Sequence, residues 1–179
     1  FDRRKVNTDW QGTQAHMDEF IQEMRRAKLD FLNFLYYADN NQGARMRNHY
    51  KSAVHKRGLN ACYTIVQMGG NRENKHIPTD DYSINLARIV QDLDAPWYQK
   101  IDGKPAVFYL TESTPENYAN TLQDRDNIRE AYGKPMYEVF LELGYNPDYS
   151  YLESKGYNAR SWYYNYDDHA NGDHSLESV

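Results

Sequence analysis

Two glutamates close consecutive strand-like segments of the 179-residue chain and are its best-placed candidates for acid–base chemistry. Glu112 follows the apolar segment Ala106–Leu110, and Glu142 ends the next one, Met136–Glu142. Neighbouring parallel strands lie about 4.8 Å apart, so the two carboxyl groups could fall within the roughly 5–9.5 Å at which glycosidases hold an acid and its partner base or nucleophile. We therefore treat Glu112 and Glu142 as candidate catalytic residues, with a capping or ion-pairing role as the alternative.

Aromatic and polar side chains follow the ends of other strand-like segments, where a sugar could stack on them. The chain has 17 Tyr, 3 Trp and 6 Phe, so 15% of its residues are aromatic. A sugar ring offers an apolar C–H face to an aromatic platform and a rim of hydroxyls to carboxylates and amides. A tyrosine-rich protein interior is the alternative explanation of this composition. The candidate substrate-binding residues are Tyr36, Tyr37, Asp39, Gln67, Trp162, Tyr164 and Tyr166.

Other kinds of catalytic or binding site have little support in the sequence. No G-x-S-x-G elbow presents a serine nucleophile, and no Gly-rich phosphate loop supports nucleotide binding. The single cysteine, Cys62, lies inside a strand-like segment and is expected to be buried and inert. The segment Asp167–His174 gathers oxygen and imidazole donors but lacks the Glu-terminated spacing of a calcium loop. We therefore expect neither a metal ion nor a cofactor.

Charge and length exclude further classes of function. The formal net charge is −5, with 21 Lys and Arg against 26 Asp and Glu, so the chain has no excess of cations with which to bind nucleic acid. No run of about 20 apolar residues predicts a membrane-spanning helix. The length fits a single domain over residues 1–179. Because the sequence starts at Phe1, without a methionine, we expect a processed or partial chain.

Five helical segments alternate with five strand-like ones, and three of the junctions between them are alike. In each of the three, which are Lys28–Asp30, Arg57–Asn60 and Lys155–Asn158, a basic residue ends the helix and Asp or Asn follows two or three residues later, near the start of the strand. The predicted helices are Thr13–Lys28, Asn48–Arg57, Thr79–Leu93, Thr114–Tyr132 and Asp148–Lys155. The predicted strands are Leu29–Tyr37, Leu59–Val66, Ala106–Leu110, Met136–Glu142 and Tyr157–Tyr166. The first of these is apolar enough to be covered on both faces.

This alternation predicts an α/β fold of parallel βα repeats. Five repeats in 179 residues correspond to a (β/α)8 TIM-type barrel or an incomplete portion of one. An open, doubly wound sheet is the alternative. In both architectures ligands bind beyond the carboxyl ends of the strands, which is where the candidate residues lie.

Three stretches of the chain resemble glycoside hydrolase family 99, the endo-α-mannosidases, and the related WbsX-type lipopolysaccharide-biosynthesis proteins. Trp97–Tyr109 is similar to the signature Y-x-K-I-D-G-K-P-V that precedes a middle barrel strand. His16–Tyr37 resembles a helix followed by a strand that ends in aromatics, and Lys155–Tyr163 resembles the strand G-f-D-A-v-s-x-Y. The resemblance implies a (β/α)8 barrel that acts on α-linked, mannose-type glycans.

The chain departs from that family at the catalytic motif. The family carries its carboxylates as an E-x-x-E pair late in the barrel, and this sequence has no E-x-x-E. Its close pairs, such as Glu112/Glu116 and Glu138/Glu142, are four residues apart. No catalytic residue is therefore carried over from the family.

Three functions remain open at this point. The first is a glycoside hydrolase that cleaves oligo- or polysaccharides by carboxylate acid–base chemistry. The others are a non-catalytic glycan-binding or scaffold domain and a surface-polysaccharide biosynthesis protein. In each case the expected partner is a glycan, without nucleic acid or membrane insertion. Because barrels of this type are often exported, a secreted or periplasmic location is expected, with a cytoplasmic one as the alternative.

Overall fold

The structure is a computed structural model that describes residues 12–36, 42–53, 58–66, 80–111, 115–142 and 149–162. These residues form the helices α1 (Gln14–Arg26), α2 (Gln42–Ser52), α3 (Asp80–Leu93), α4 (Pro115–Tyr132) and α5 (Tyr149–Ser154). They also form the strands β1 (Phe31–Tyr36), β2 (Asn60–Ile65), β3 (Lys100–Ile101), β4 (Lys104–Thr111), β5 (Tyr137–Glu142) and β6 (Ala159–Trp162). None of these helices is long and apolar enough to cross a membrane.

Five strands form one parallel sheet in the order β1-β2-β4-β5-β6, and β3 pairs only with β4, antiparallel to it. The order in the sheet is the order along the chain, and a helix lies in each connection between parallel neighbours. This confirms the α/β fold of parallel βα repeats. A doubly wound sheet reverses its strand order at one point, and the described residues contain no such reversal.

The two faces of β1 differ in how they are covered. On β1, Phe34 and Tyr36 are buried against side chains of α2 and α3. Asn33, on the other face, is exposed. The prediction that the first strand is covered on both faces is therefore wrong. Phe31 and Leu35, which lie on the same face as Asn33 and are half-buried, gave the segment its continuous apolar appearance.

A cluster of aromatic rings fills the layer between the sheet and the helices. The ring of Tyr63 lies 5.2 Å from that of Tyr36, 5.4 Å from that of Tyr98 and 6.4 Å from that of Trp97. Trp97 also contacts Tyr50 of α2, at 5.6 Å. All these contacts are edge-on, the arrangement that the ring quadrupoles favour. Much of the tyrosine content thus belongs to the interior.

The second helix lies about six residues earlier than predicted. The expected range was Asn48–Arg57, and α2 spans Gln42–Ser52. Its buried residues Ala44, Arg47 and Tyr50 recur every three positions. Because an arginine occupies the middle of this stripe, the sequence pattern does not resemble an apolar helix face.

A two-residue hairpin precedes the third predicted strand and lengthens it. Asp102 and Gly103 both have positive φ, at 52° and 75°. This matches the type I′ turn, for which Asp-Gly is a preferred pair. The turn joins β3 to β4, so β4 begins at Lys104 rather than at the predicted Ala106.

The structure confirms that the junction after α1 resembles the junction after α5, which contains Gly156. The backbone N–H of Lys28 donates to the carbonyl of Arg25 at 3.0 Å, and that of Leu29 donates to Met24 at 3.1 Å. The same pair of bonds ends α5 around Gly156. This motif needs a left-handed residue, and φ is 76° at Gly156 and 58° at Lys28.

Replacing Lys28 by Gly is expected to raise the free energy of unfolding by about 0.5–1 kcal/mol. Glycine removes the strain of a left-handed L-residue, which is roughly 1–2 kcal/mol. It also loses more conformational entropy on folding, which offsets about 0.5–1 kcal/mol of that gain. Urea denaturation measures the change. Gly133→Ala is the reverse control, because φ there is 67° and a Cβ would meet no atom within 4 Å, so only backbone strain is added. Equal or lower stability of Lys28→Gly would contradict the prediction.

Candidate functional site

The carboxyl ends of β4, β5 and β6 lie side by side at one edge of the sheet, as parallel βα repeats predict. Thr111 pairs with Glu142 in the register, and Glu142 pairs with Trp162. The last residues of β1 and β2, Tyr36 and Ile65, are paired with each other in a row two residues below Thr111. Two predicted site residues, Glu142 and Trp162, are thus neighbours along this edge.

Most of the other predicted site residues lie outside the described residues. They are Glu112, Tyr37, Asp39, Gln67, Tyr164 and Tyr166, and the segment 167–174 is outside as well. The catalytic pairing of Glu112 with Glu142 and the stacking of a sugar on the aromatic residues therefore stay predictions.

Tyr36 is the predicted site residue whose surroundings are described. Its side chain is directed toward the helices and the residue is 2% exposed. The hydroxyl donates to Oδ1 of Asn85 on α3 at 3.2 Å, and the guanidinium of Arg47 lies 3.9 Å from the ring centroid. Burial raises the pKa of the Tyr36 hydroxyl, which the charge of Arg47 lowers only in part. Tyr36 thus borders a cleft behind the sheet, with a cation against one face of its ring.

This cleft opens between α2 and α3 and has a volume of about 340 Å³. Among the described elements, α1 packs closely against α2 and α3 packs closely against α4, whereas the backbones of α2 and α3 do not pack in this way and the side chains of Lys51 and Asp92 bridge them. The gap between the two helices forms the cleft. Its lining is mostly polar, and the described residues in it are Tyr36, Arg47, Asn48, Lys51, Arg88, Gln91 and Asp92.

Asp92 is the carboxylate among the described residues that line the cleft. Its Oδ2 accepts a hydrogen bond from the Tyr63 hydroxyl at 2.6 Å and forms an ion pair with Lys51. Nζ of Lys51 lies 5.7 Å from the ring centroid of Trp97. Burial, together with the charge of Asp92, raises the pKa of Tyr63, so this hydroxyl remains a donor. The ion pair and the hydroxyl tie α2, α3 and β2 together beside the cleft.

Arg47 places a buried positive charge against the same cleft. The residue is 5% exposed, and its Nη1 donates to the carbonyl of Leu35 at 3.3 Å. Burial lowers the pKa of the guanidinium, and Tyr36, Tyr63 and Asp92 raise it in part. Because arginine has no neutral form in proteins at ordinary pH, the charge persists at the cleft.

Sequence reasoning missed this cleft because its charges come from two separate repeats. Arg47 and Lys51 are four residues apart on α2, and Arg88 and Asp92 are four apart on α3. Charges at this spacing are typical of a solvated helix face. The signal available in the sequence was the spacing of Arg47, which lies three residues before Tyr50 and therefore falls on the same face of a helix.

Glu138 of β5 is a buried carboxylate that sequence reasoning also left out of the site. Nε and Nη2 of Arg125 each donate to one of its oxygens at 3.1 Å, and Arg129 forms a second ion pair with it. Both oxygens are engaged by guanidinium groups. Glu138 therefore has a structural role and is not a candidate for proton transfer to a ligand.

Cys62 lies in β2 with no exposed surface, which confirms that it is buried. Its thiol donates to the carbonyl of Leu32 at 3.7 Å, and burial raises the pKa of the thiol. Within the ranges that the structure describes, no three or more His, Cys, Asp or Glu side chains are grouped so as to hold a metal ion.

No protein-family model, curated protein or solved structure matches this chain. Its function is therefore inferred from the residues and their placement.

Proposed function

We propose that this chain belongs to a carbohydrate-active (β/α)8 barrel, a glycoside hydrolase similar to family 99 that acts on α-linked, mannose-type oligo- or polysaccharides in a secreted or periplasmic location. The observation that carries this proposal is the sheet. Its five parallel strands follow one another in chain order, with a helix in every connection, which is the arrangement of successive strands in a barrel. Barrel enzymes bind substrate at the carboxyl edge of such a sheet.

The residues at that edge supply the chemistry of the proposed reaction. Glu142 and Trp162 are paired in the register, so an acid–base group and an aromatic platform begin from neighbouring backbone positions. Glu112 directly follows Thr111, the partner of Glu142 on the other side. In the proposed reaction one of these carboxyl groups protonates the glycosidic oxygen, while the other acts as base or nucleophile.

The absence of an E-x-x-E pair favours a second candidate function at the same edge. This is glycan binding without hydrolysis, in a scaffold or in a protein of surface-polysaccharide biosynthesis. It uses the aromatic platform and needs no pair of carboxyl groups.

Replacing Glu142 by Gln, and Glu112 by Gln in a separate variant, is expected to reduce hydrolysis of aryl α-mannosides by about 10²–10⁴-fold. This is the usual contribution of general acid–base catalysis. The assay also includes a panel of polysaccharides, with release of reducing ends as the readout. Glu23→Gln is the matched control, because this exposed glutamate lies near the end of α1 that faces the opposite edge of the sheet. It is expected to keep wild-type activity.

The outcomes separate the two candidate functions. Unchanged hydrolysis in both Gln variants would exclude Glu112 and Glu142 as the catalytic pair. Glycan binding that Trp162→Ala weakens, without hydrolysis at any pH, would support the non-catalytic function. A wild-type chain that neither binds nor cleaves any glycan of the panel would contradict both.

A further inference from the structure

The cleft between α2 and α3 concentrates positive charge in a chain whose formal net charge is −5. Among the described residues, its lining contains three cationic side chains, those of Arg47, Lys51 and Arg88, and one carboxylate, that of Asp92. The formal charges of these described side chains sum to +2. A cleft walled by protein focuses such a charge and raises the local concentration of anions.

Arg47 is held in a fixed position at the cleft. The Tyr36 ring lies against its guanidinium, at 3.9 Å from the centroid, and its Nη1 donates to the carbonyl of Leu35 at 3.3 Å. A guanidinium fixed in this way offers a planar fork of donors that matches the oxygens of a phosphate or carboxylate. Since burial disfavours its charge, an anion bound beside it offsets part of that cost.

The other lining side chains place charge and amide groups nearer the surface. Arg88 is exposed and lies one turn before Asp92 on α3. Asn48 of α2 and Gln91 of α3 are also exposed, and their amide groups can donate to and accept from hydroxyls. The carboxylate of Asp92 is already engaged by the Tyr63 hydroxyl and by Lys51. The cleft thus combines a deep cation, a cation nearer solvent and neutral hydrogen-bonding groups.

We propose that this cleft binds the phosphate group of a small hydroxylated molecule, of the chemical class of a hexose phosphate. The guanidinium groups of Arg47 and Arg88 bind the phosphate oxygens, and the amides of Asn48 and Gln91 bind hydroxyls. The volume of about 340 Å³ falls at the lower end of the roughly 300–1,000 Å³ of small-molecule sites, so it has room for more than a bare anion. This proposal is independent of the glycan site, which is assigned to the carboxyl edge of the sheet.

Isothermal titration of the full chain with three probes tests the proposal and identifies the source of the phosphate. The probes are inorganic phosphate, a hexose 6-phosphate and the free hexose. We expect the hexose 6-phosphate to bind more tightly than inorganic phosphate, and the free hexose not to bind. Equal affinities of the two phosphates would support the anion site and identify free phosphate as its ligand. Binding should weaken as salt is added, because salt screens the attraction between the charges.

Two substitutions of exposed residues test the location without disturbing the core. Arg88→Gln removes a cation and Gln91→Glu adds a carboxylate at constant size, and each is expected to weaken phosphate binding by about tenfold. Arg45→Gln is the matched control, since Arg45 is exposed on α2 outside the lining of the cleft. Absence of anion binding, or binding that Arg88→Gln and Gln91→Glu leave unchanged, would overturn the proposal. Neither substitution is expected to alter hydrolysis of neutral mannosides. A negative result for phosphate binding therefore leaves the proposed glycan site untouched, and a negative result for hydrolysis leaves the proposed phosphate site untouched.

Discussion

Glu138→Gln is expected to lower the free energy of unfolding by about 3–5 kcal/mol, because it leaves a buried guanidinium without its carboxylate. The side chains of Arg125 and Glu138 are 2% and 3% exposed. Arg125 donates to both oxygens of Glu138 at 3.1 Å, and an amide offers one neutral oxygen in their place. Urea denaturation followed by circular dichroism measures the loss.

The effect is large because the same side chains connect three elements. Nη2 of Arg125 also donates to the carbonyl of Lys155 at 2.6 Å, just after α5, and its guanidinium lies 3.9 Å from the ring centroid of Tyr157. The backbone N–H of Glu138 donates to Oδ1 of Asn158 at 2.8 Å, and the N–H of Asn158 donates back to Glu138 at 2.9 Å. Loss of the carboxylate therefore weakens the contacts among α4, β5 and the turn before β6.

An exposed ion pair of the same domain provides the control for this prediction. Lys134 and Asp94 approach to 2.5 Å, but their side chains are 59% and 55% exposed. Water screens such a pair, so Asp94→Asn is expected to leave the stability nearly unchanged. The double variant Arg125→Met/Glu138→Met is expected to recover part of the loss, since it removes both buried charges. A loss for Glu138→Gln no larger than that for Asp94→Asn would contradict the prediction.

The repeating architecture could be predicted because its signals are local. The start of α4 at Pro115 follows from a Thr-Pro-Glu helix start, and the end of α5 follows from the glycine at position 156. Strand direction follows from the helix between each pair of strands, and it places the strand ends at one edge without any knowledge of packing. The shared edge at Glu142 and Trp162 is a consequence of that rule.

Features that depend on contacts between repeats could not be predicted in this way. Burial of Arg47 on α2 depends on the Tyr36 ring of β1, and the position of Asp92 depends on the Tyr63 hydroxyl of β2. These partners are separated by up to 29 residues in the sequence. Periodicity reports which side chains share a face of one element, but it does not report which two helices leave a gap between them.

A second large effect concerns two buried tyrosines that differ in whether the hydroxyl has a partner. Tyr98→Phe is expected to lower the free energy of unfolding by about 1–3 kcal/mol, whereas Tyr109→Phe is expected to leave it unchanged or raise it by about 1 kcal/mol. The Tyr98 hydroxyl accepts a hydrogen bond from the backbone N–H of Tyr63 at 3.2 Å. The Tyr109 hydroxyl is buried with no hydrogen-bond partner in the part of the chain that the structure describes.

The bond from Tyr63 to Tyr98 is needed because the neighbour of β2 changes at this point. β2 pairs with β4 only from Tyr63 onward. At Ala61, two residues earlier, β2 is bonded instead to the segment around Tyr98. The N–H of Ala61 donates to the carbonyl of Trp97 at 3.0 Å, and the N–H of Gln99 donates to the carbonyl of Ala61 at 2.7 Å. The backbone N–H of Tyr63 lies between the part of β2 that pairs with the segment around Tyr98 and the part that pairs with β4. It donates to the Tyr98 hydroxyl, and without this hydroxyl the buried N–H is left unpaired.

The comparison between the two Tyr→Phe variants isolates the hydroxyl from the ring. Both residues are fully buried, and burial raises the pKa of both hydroxyls far above the usual value, so the same neutral O–H is removed in each case. Tyr157→Phe is a third test, because its hydroxyl is also buried without a partner in the described residues, and it is expected to behave like Tyr109→Phe. Urea denaturation of the three variants measures the difference. If Tyr98→Phe and Tyr109→Phe lowered the free energy of unfolding equally, the hydrogen bond from the Tyr63 backbone N–H would not explain the effect of Tyr98→Phe, and the prediction would be contradicted.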